Sequence, residues 1–188
     1  FTEHDAPVDH LQYSGFTRGF RYERNFTGED LAVAYDFEIE ALAKEGIISV
    51  QTAVKLLRNY YGFANPYGKT NFFEDRASVA QNLLGSREQR SRLLERTKND
   101  PILLKKVEFM KRHYFEKSFG LMDGMYWDLL EKPESDHKTM AEYLKARAAL
   151  VGRMSNEEFA ASIRGVLGED VRVDMEAWKA QIRDFAGL

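Results

Sequence analysis

The segment Gly62-Phe63-Ala64-Asn65-Pro66-Tyr67-Gly68-Lys69-Thr70 carries the residue types of a phosphate-binding loop, two glycines followed by Lys-Thr. Such a loop works because successive backbone N–H groups converge on one phosphate while the lysine reaches its outer oxygens. Five residues separate these glycines where the motif needs four, Pro66 removes one donor, and a helical pattern rather than a strand leads in. No nucleotide site is expected there. The four histidines, His4, His10, His113 and His137, make no HExxH or comparable metal pair. His4-Asp5 and Asp9-His10 read as a solvated tail. No G-x-S-x-G elbow occurs, and Asp36, Glu38 and Glu40 fall mostly toward the solvent side of their helix. With no cysteine, a disulfide framework, a thiolate metal site and a cysteine nucleophile are excluded. The expectation is therefore no catalytic residue, no cofactor and no metal.

Two segments carry recognition chemistry instead. Tyr13, Phe16, Phe20, Tyr22 and Phe26 interleave with Arg18, Arg21 and Arg24 between glycines. Aromatics and arginines bury a large area with little rotamer loss, which makes these eight residues the candidate partner-binding set. The same composition can stack bases and pair phosphates, or pack across the protein's own helices; nucleic acid is the weaker alternative because the neighbouring sequence is acidic. The second segment is basic. Residues 1–85 carry a net −4, 86–120 a net +5 and 121–188 a net −4, the chain as a whole −3. Arg87, Arg90, Arg92, Arg96, Lys98, Lys105, Lys106, Lys111 and Arg112 could meet an acidic protein or a phosphate backbone, or form a solvated face partly neutralised by Glu88, Glu95 and Glu108.

The elements that must position these residues read as helices closed by glycines. Thr27 with Asp30 can cap a helix carrying Leu31, Tyr35, Ile39 and Leu42 to Gly46, and Ser49 starts a second with Val50, Val54, Leu57 and Tyr61 on one face and Gly62 at its end. Asn65 to Glu74 reads as a loop about ten residues long, pinned by Phe72 and Phe73. Val79 and Leu83 lie on a helix stopped by Gly85. Ser86 with Gln89 caps the next, and Asp100-Pro101 opens one that runs through Val107, Met110 and Tyr114 to Gly120. A short aromatic helix around Trp127 ends before Pro133. Asp136, Ser155 with Glu158, and Asp174 start the last three, with Gly152, Gly168 and Gly187 at their ends. No stretch alternates with period two for long enough to make a strand. The fold class is all-α, with residues 1–26 as an extended N-terminal arm and 27–188 as a helical-repeat domain.

At 188 residues and 44% hydrophobic, the chain can bury a core without disulfides or metals. No apolar run approaches the ~18 residues of a membrane span. The chain opens Phe1-Thr2-Glu3 without an initiator Met, which fits a cleaved transit peptide, a cleaved secretory signal or a trimmed boundary.

Residues 28–62 have the length of one pentatricopeptide-type repeat, and Tyr35, Ile39, Leu42, Lys44, Gly46, Ala53 and Leu56 resemble its aromatic, aliphatic, Lys-x-Gly and Ala-x-x-Leu positions. The loop after Gly46 is about two residues longer than the repeat consensus, and the later helix pairs, 101–131 and 137–167, keep the architecture without the signature. With the Tyr13-to-Tyr22 arm and the overall size, the chain resembles the eighteen-kilodalton, pentatricopeptide-like accessory subunits of the mitochondrial ATP synthase catalytic head of kinetoplastids and euglenoids. This chain is heavier than that name implies. The resemblance implies helical hairpins stacked in a short solenoid, a removed transit peptide, a matrix location peripheral to the inner membrane, and a structural role against the alpha subunits with no catalysis of its own. An RNA-binding helical-repeat protein of the mitochondrion is the alternative, using the basic block and the arm.

Overall fold

The computed structural model describes residues 35–133, 137–168 and 172–186. The expected cap at Thr27–Asp30 and the whole of the 1–26 arm, including Tyr13, Phe16, Arg18, Phe20, Arg21, Tyr22, Arg24 and Phe26, lie outside the described residues. Among those described, the protein is all-α, about three quarters helical and without strands. None of their helices is long and apolar enough to cross a membrane. The chain divides into two units, Phe1–Met110 and Lys111–Leu188.

In the first unit, helix α1 spans Asp36–Lys44 and α2 spans Val50–Arg58. After a 3₁₀ turn at Tyr67–Lys69 come α3, Phe72–Leu84, α4, Arg87–Thr97, and α5, Pro101–Lys117, inside which the division between units falls. The sequence expects Tyr35 in the middle of the first helix. It is instead the residue before the helix, extended at φ −71° and ψ 157°, with its N–H donated to Glu38 Oε2 (2.8 Å). Starting the helix there frees the ring of Tyr35 to pack with Phe63 and Phe72, fully buried with both. Gly46, at φ +72°, makes the turn between α1 and α2, a conformation that costs other residues a steric clash at Cβ.

Two further expectations fail in this unit. Helix α2 ends at Arg58 rather than near Gly62, and its Val50, Val54 and Leu57 point outward. Ala53 and Leu56 make the contact with Ile39 and Leu42 of α1. The small alanine lets the two helices approach, which turns the larger aliphatic stripe away by roughly a quarter of a turn. The expected loop over 65–74 ends earlier than its sequence suggests: Asn71 accepts from the N–H groups of Phe73 and Glu74 and starts α3 at Phe72, so the connection from α2 runs over residues 59–71. Phe72 is buried as expected, while Phe73 is 46% exposed, its ring centre 4.1 Å from that of Phe72.

In the second unit, α6 spans Gly124–Leu130, α7 His137–Arg153, α8 Asn156–Leu167 and α9 Met175–Ala186. Its core gathers Phe115 at the end of α5 with Leu121, Ala148, Val151, Phe159, Ile163, Leu167 and Ile182. The signalled caps hold here: Ser155 Oγ accepts from Glu158 N–H while Glu158 Oε2 accepts from Ser155 N–H, and Asp174 accepts from Ala177 N–H. Helix α9 packs on both α7 and α8.

Candidate functional site

The polar chemistry of the first unit collects around the loop that follows α2. Gly62, at φ +81°, donates its N–H to Asp100 Oδ2 (2.7 Å), and Asp100 Oδ1 accepts from Leu103 N–H (2.9 Å) at the start of α5. One carboxylate thus caps a helix, as Asp100-Pro101 signals, and fixes a glycine 38 residues upstream. Asn65 Oδ1 accepts from Gly68 N–H (2.9 Å) and Ser78 Oγ (3.2 Å), which ties the 3₁₀ turn to α3.

Lys69, the lysine of the apparent phosphate loop, is turned into the protein and is 1% exposed. Its ammonium donates to the carbonyls of Leu56 and Asn59, with Asp36 Oδ1 at 3.8 Å. These carbonyls end α2, where a cation offsets the unpaired acceptors and the negative end of the helix dipole. Burial holds the Lys69 amine below its ordinary value, with Asp36 acting in the opposite direction.

Deeper lies a buried ion pair. Lys106 of α5 donates to Asp75 Oδ2 of α3, both side chains at most 1% exposed. Tyr35 Oη donates to the same Asp75 oxygen (3.3 Å), and Lys106 Nζ lies 4.0 Å above the centre of the Phe63 ring. Burial raises the Asp75 carboxyl to about 6, against the opposing pull of Lys106 and the Tyr35 hydroxyl. Burial likewise holds Lys106 below its ordinary value, opposed by Asp75 and then Asp100. Perturbed groups of this kind mark catalytic sites when they face a cleft, and structural pairs when they do not.

A cavity of about 400 Å³ is lined by Asn59, Tyr60, Tyr61, Glu95, Arg96, Asn99 and Asp100, and neither Asp75 nor Lys106 reaches it. Its cation, Arg96, donates to the carbonyls of Ala64 (2.5 Å) and Phe63 (2.7 Å) and lies 4.8 Å over the Tyr60 ring. Its buried acid, Asp100, holds the two N–H groups described above. Arg96 and Asp100 of this wall therefore organise backbone, while Glu95 pairs with Lys98.

The basic block does not form one surface. Arg90, 4% exposed, donates to the carbonyls of Leu83 and Gly85 and closes the end of α3. Arg96 and Lys106 are engaged as described. Arg87, Arg92, Lys98 and Lys105 are exposed, Lys98 beside Glu95. In the second unit, Lys111 lies 5.6 Å over the Trp127 ring and Arg112 donates to Leu167 O. A comparable node there centres on Asp123, which caps α6 through Tyr126 N–H, accepts from Tyr143 Oη, and meets Arg147 Nε at 3.1 Å. Burial, then the bond to Asp123, raises the Tyr143 hydroxyl. His113 stacks edge-on against Tyr114, and among the described residues no group of three or more His, Asp or Glu could hold a metal ion.

Sequence reasoning missed the Asp75–Lys106 pair, whose members stand 31 residues apart with no local signal. It also missed Arg90 and Arg96 as carbonyl ligands. The candidate partner-binding residues of the 13–26 segment lie outside the described residues. Fold and site define an all-helical protein whose buried charges hold backbone segments together. No family model, curated protein or solved structure matches the chain.

Proposed function

We propose that this chain is a non-catalytic accessory subunit, a pentatricopeptide-like helical-repeat protein that docks on the outside of the mitochondrial ATP synthase catalytic head, against its alpha subunits, on the matrix side. The observation that carries this reading is the α1–α2 hairpin. Four of the positions by which the sequence resembles a pentatricopeptide repeat pack it, Ile39, Leu42 and Ala53 buried with Leu56 against them, and Gly46 turns the chain, while Tyr35 packs with Phe63 and Phe72 instead. In such repeats each hairpin leaves one face for its neighbour, and the stack presents an extended docking surface. The packing of α9 on α7 across the intervening α8 is the contact that stacked hairpins make. The roles of Lys69, Arg90, Arg96 and Asp100 in bonding carbonyls and N–H groups, and of Lys106 in pairing with Asp75, fit a scaffold.

Fractionation of native complexes, with partners identified by cross-linking and mass spectrometry, tests this. The chain is expected to travel with the ATP synthase and to cross-link to its alpha subunits. A chain that travels alone, or with a ribonucleoprotein particle, overturns the proposal.

A further inference from the structure

Helix α2 turns a row of aliphatic side chains to solvent: Val50, Val54 and Leu57 are 69%, 41% and 36% exposed, and Ile47 just before the helix is 44% exposed. Val50, Val54 and Leu57, four and three residues apart, stay in line over about 10 Å of helix, and Ile47 precedes them in the turn. The hairpin does not use them, because Ala53 and Leu56 fill that contact. A contiguous aliphatic row on an otherwise polar helix surface is characteristic of an interaction site, whereas a single exposed Val or Leu is ordinary. Beside the row, on the side away from α1, stand Lys55 and Arg58. The sequence of α2, Val-Gln-Thr-Ala-Val-Lys-Leu-Leu-Arg, contains no acidic residue, and neither cation is in an ion pair among the described residues.

We propose that this face receives an acidic amphipathic helix of a partner protein. Aliphatic side chains of the partner, three and four residues apart, lie along Ile47, Val50, Val54 and Leu57, and carboxylates on one edge meet Lys55 and Arg58. This is the way amphipathic helices dock on apolar faces, with the apolar row providing contact area and the flanking charges fixing orientation. A second copy of this chain suits the face poorly, since α2 against α2 brings cations together with no carboxylate to answer them. A lipid surface suits it poorly as well. Helices that lie in a membrane interface combine Trp, Phe or Leu with a broad basic face, and α2 offers nine residues and two cations. The face belongs to the described hairpin, so the proposal holds whichever assembly the protein joins.

The absence of cysteine makes the test direct, because Val54→Cys in the full chain carries the sole thiol. Its maleimide labelling rate is compared with that of the same thiol in urea. The probes are a synthetic helical peptide with leucines three and four residues apart and a glutamate edge, a counterpart with lysines replacing the glutamates, and phosphatidylcholine–phosphatidylserine vesicles. The thiol is expected to label freely in the dilute chain and about tenfold more slowly with the acidic peptide, and Lys55→Glu with Arg58→Glu is expected to transfer protection to the basic peptide. Slow labelling of the free chain would assign the face to the protein's own segment, protection rising with chain concentration to a second copy, and protection by vesicles alone to a membrane; each overturns the proposal. Equal protection by both peptides, or by neither, overturns it too. Fractionation of native complexes reports on the ATP synthase reading independently of all of these outcomes.

Discussion

Removing either member of the Lys106–Asp75 pair takes from the other its ion-pair partner in the core, beside Tyr35 and Phe63. Lys106→Ala or Asp75→Ala is therefore expected to cost about 3–5 kcal/mol in urea unfolding, whereas Lys106→Met with Asp75→Leu costs far less because both desolvated charges go together. A double substitution as damaging as either single one would refute this account. Asp75 also predicts an unusual pH response. Its folded value of about 6 lies above the ordinary 3.8, so in that interval the folded protein holds the proton more tightly than the unfolded chain. The associated stability is complete below the ordinary value and is lost as pH rises through about 6. Comparing unfolding free energies at acidic and neutral pH, the protein should gain on Asp75→Asn upon acidification; a loss would contradict the assignment. Lys69 supplies a third residue-level test. Lys69→Ala deprives the Asn59 carbonyl of its Lys69 donor and the Leu56 carbonyl of one of two donors, and is expected to cost about 1–3 kcal/mol. Calorimetry with Mg-ATP should show no micromolar binding in either form, and binding abolished by the substitution would restore the phosphate loop.

At the level of elements, what could be seen in the sequence was whatever is local. Ser49, Ser86, Asp100, Ser155 and Asp174 each accept from the backbone N–H three residues ahead, so a short window contains both partners, and all five start helices as expected. Ser86→Ala and Ser155→Ala should each cost about 1 kcal/mol, read as a lowered melting temperature, and no change at either site would remove the capping box as a support. Orientation was harder to read. Periodicity shows that Val50, Val54 and Leu57 share a face, and the usual inference sends that face inward; the structure sends Ala53 inward instead, because close approach to α1 favours the small side chain. Tyr35 sits one residue outside its helix for a similarly non-local reason, the aromatic cluster with Phe63 and Phe72. The basic block dissolved because Arg90, Arg96, Arg112 and Lys106 find their partners in backbone carbonyls and in Asp75, which linear charge counting does not register.

For the whole molecule, the separation of folding from docking is the quantity to measure. Among the described residues each unit has its own core, Ile39, Leu42 and Ala53 with the Tyr35 cluster in one and Phe115, Val151, Phe159 and Ile163 in the other. The 13–26 segment holds the densest interleaving of aromatics with arginine in the chain, the composition that dominates interface hot spots because rigid rings and planar guanidinium groups lose little rotamer freedom on burial. Phe20→Ala with Arg21→Ala should therefore weaken incorporation into the native complex by about 2–4 kcal/mol while leaving the melting temperature nearly unchanged. A segment that covers the protein's own helices would behave the other way, since removing two buried side chains lowers the melting temperature before it affects association. Both quantities can be read on one preparation, melting by circular dichroism and incorporation by native fractionation. A variant that melts early yet joins its complex normally would assign the arm to the fold and leave the α2 face as the docking surface to pursue.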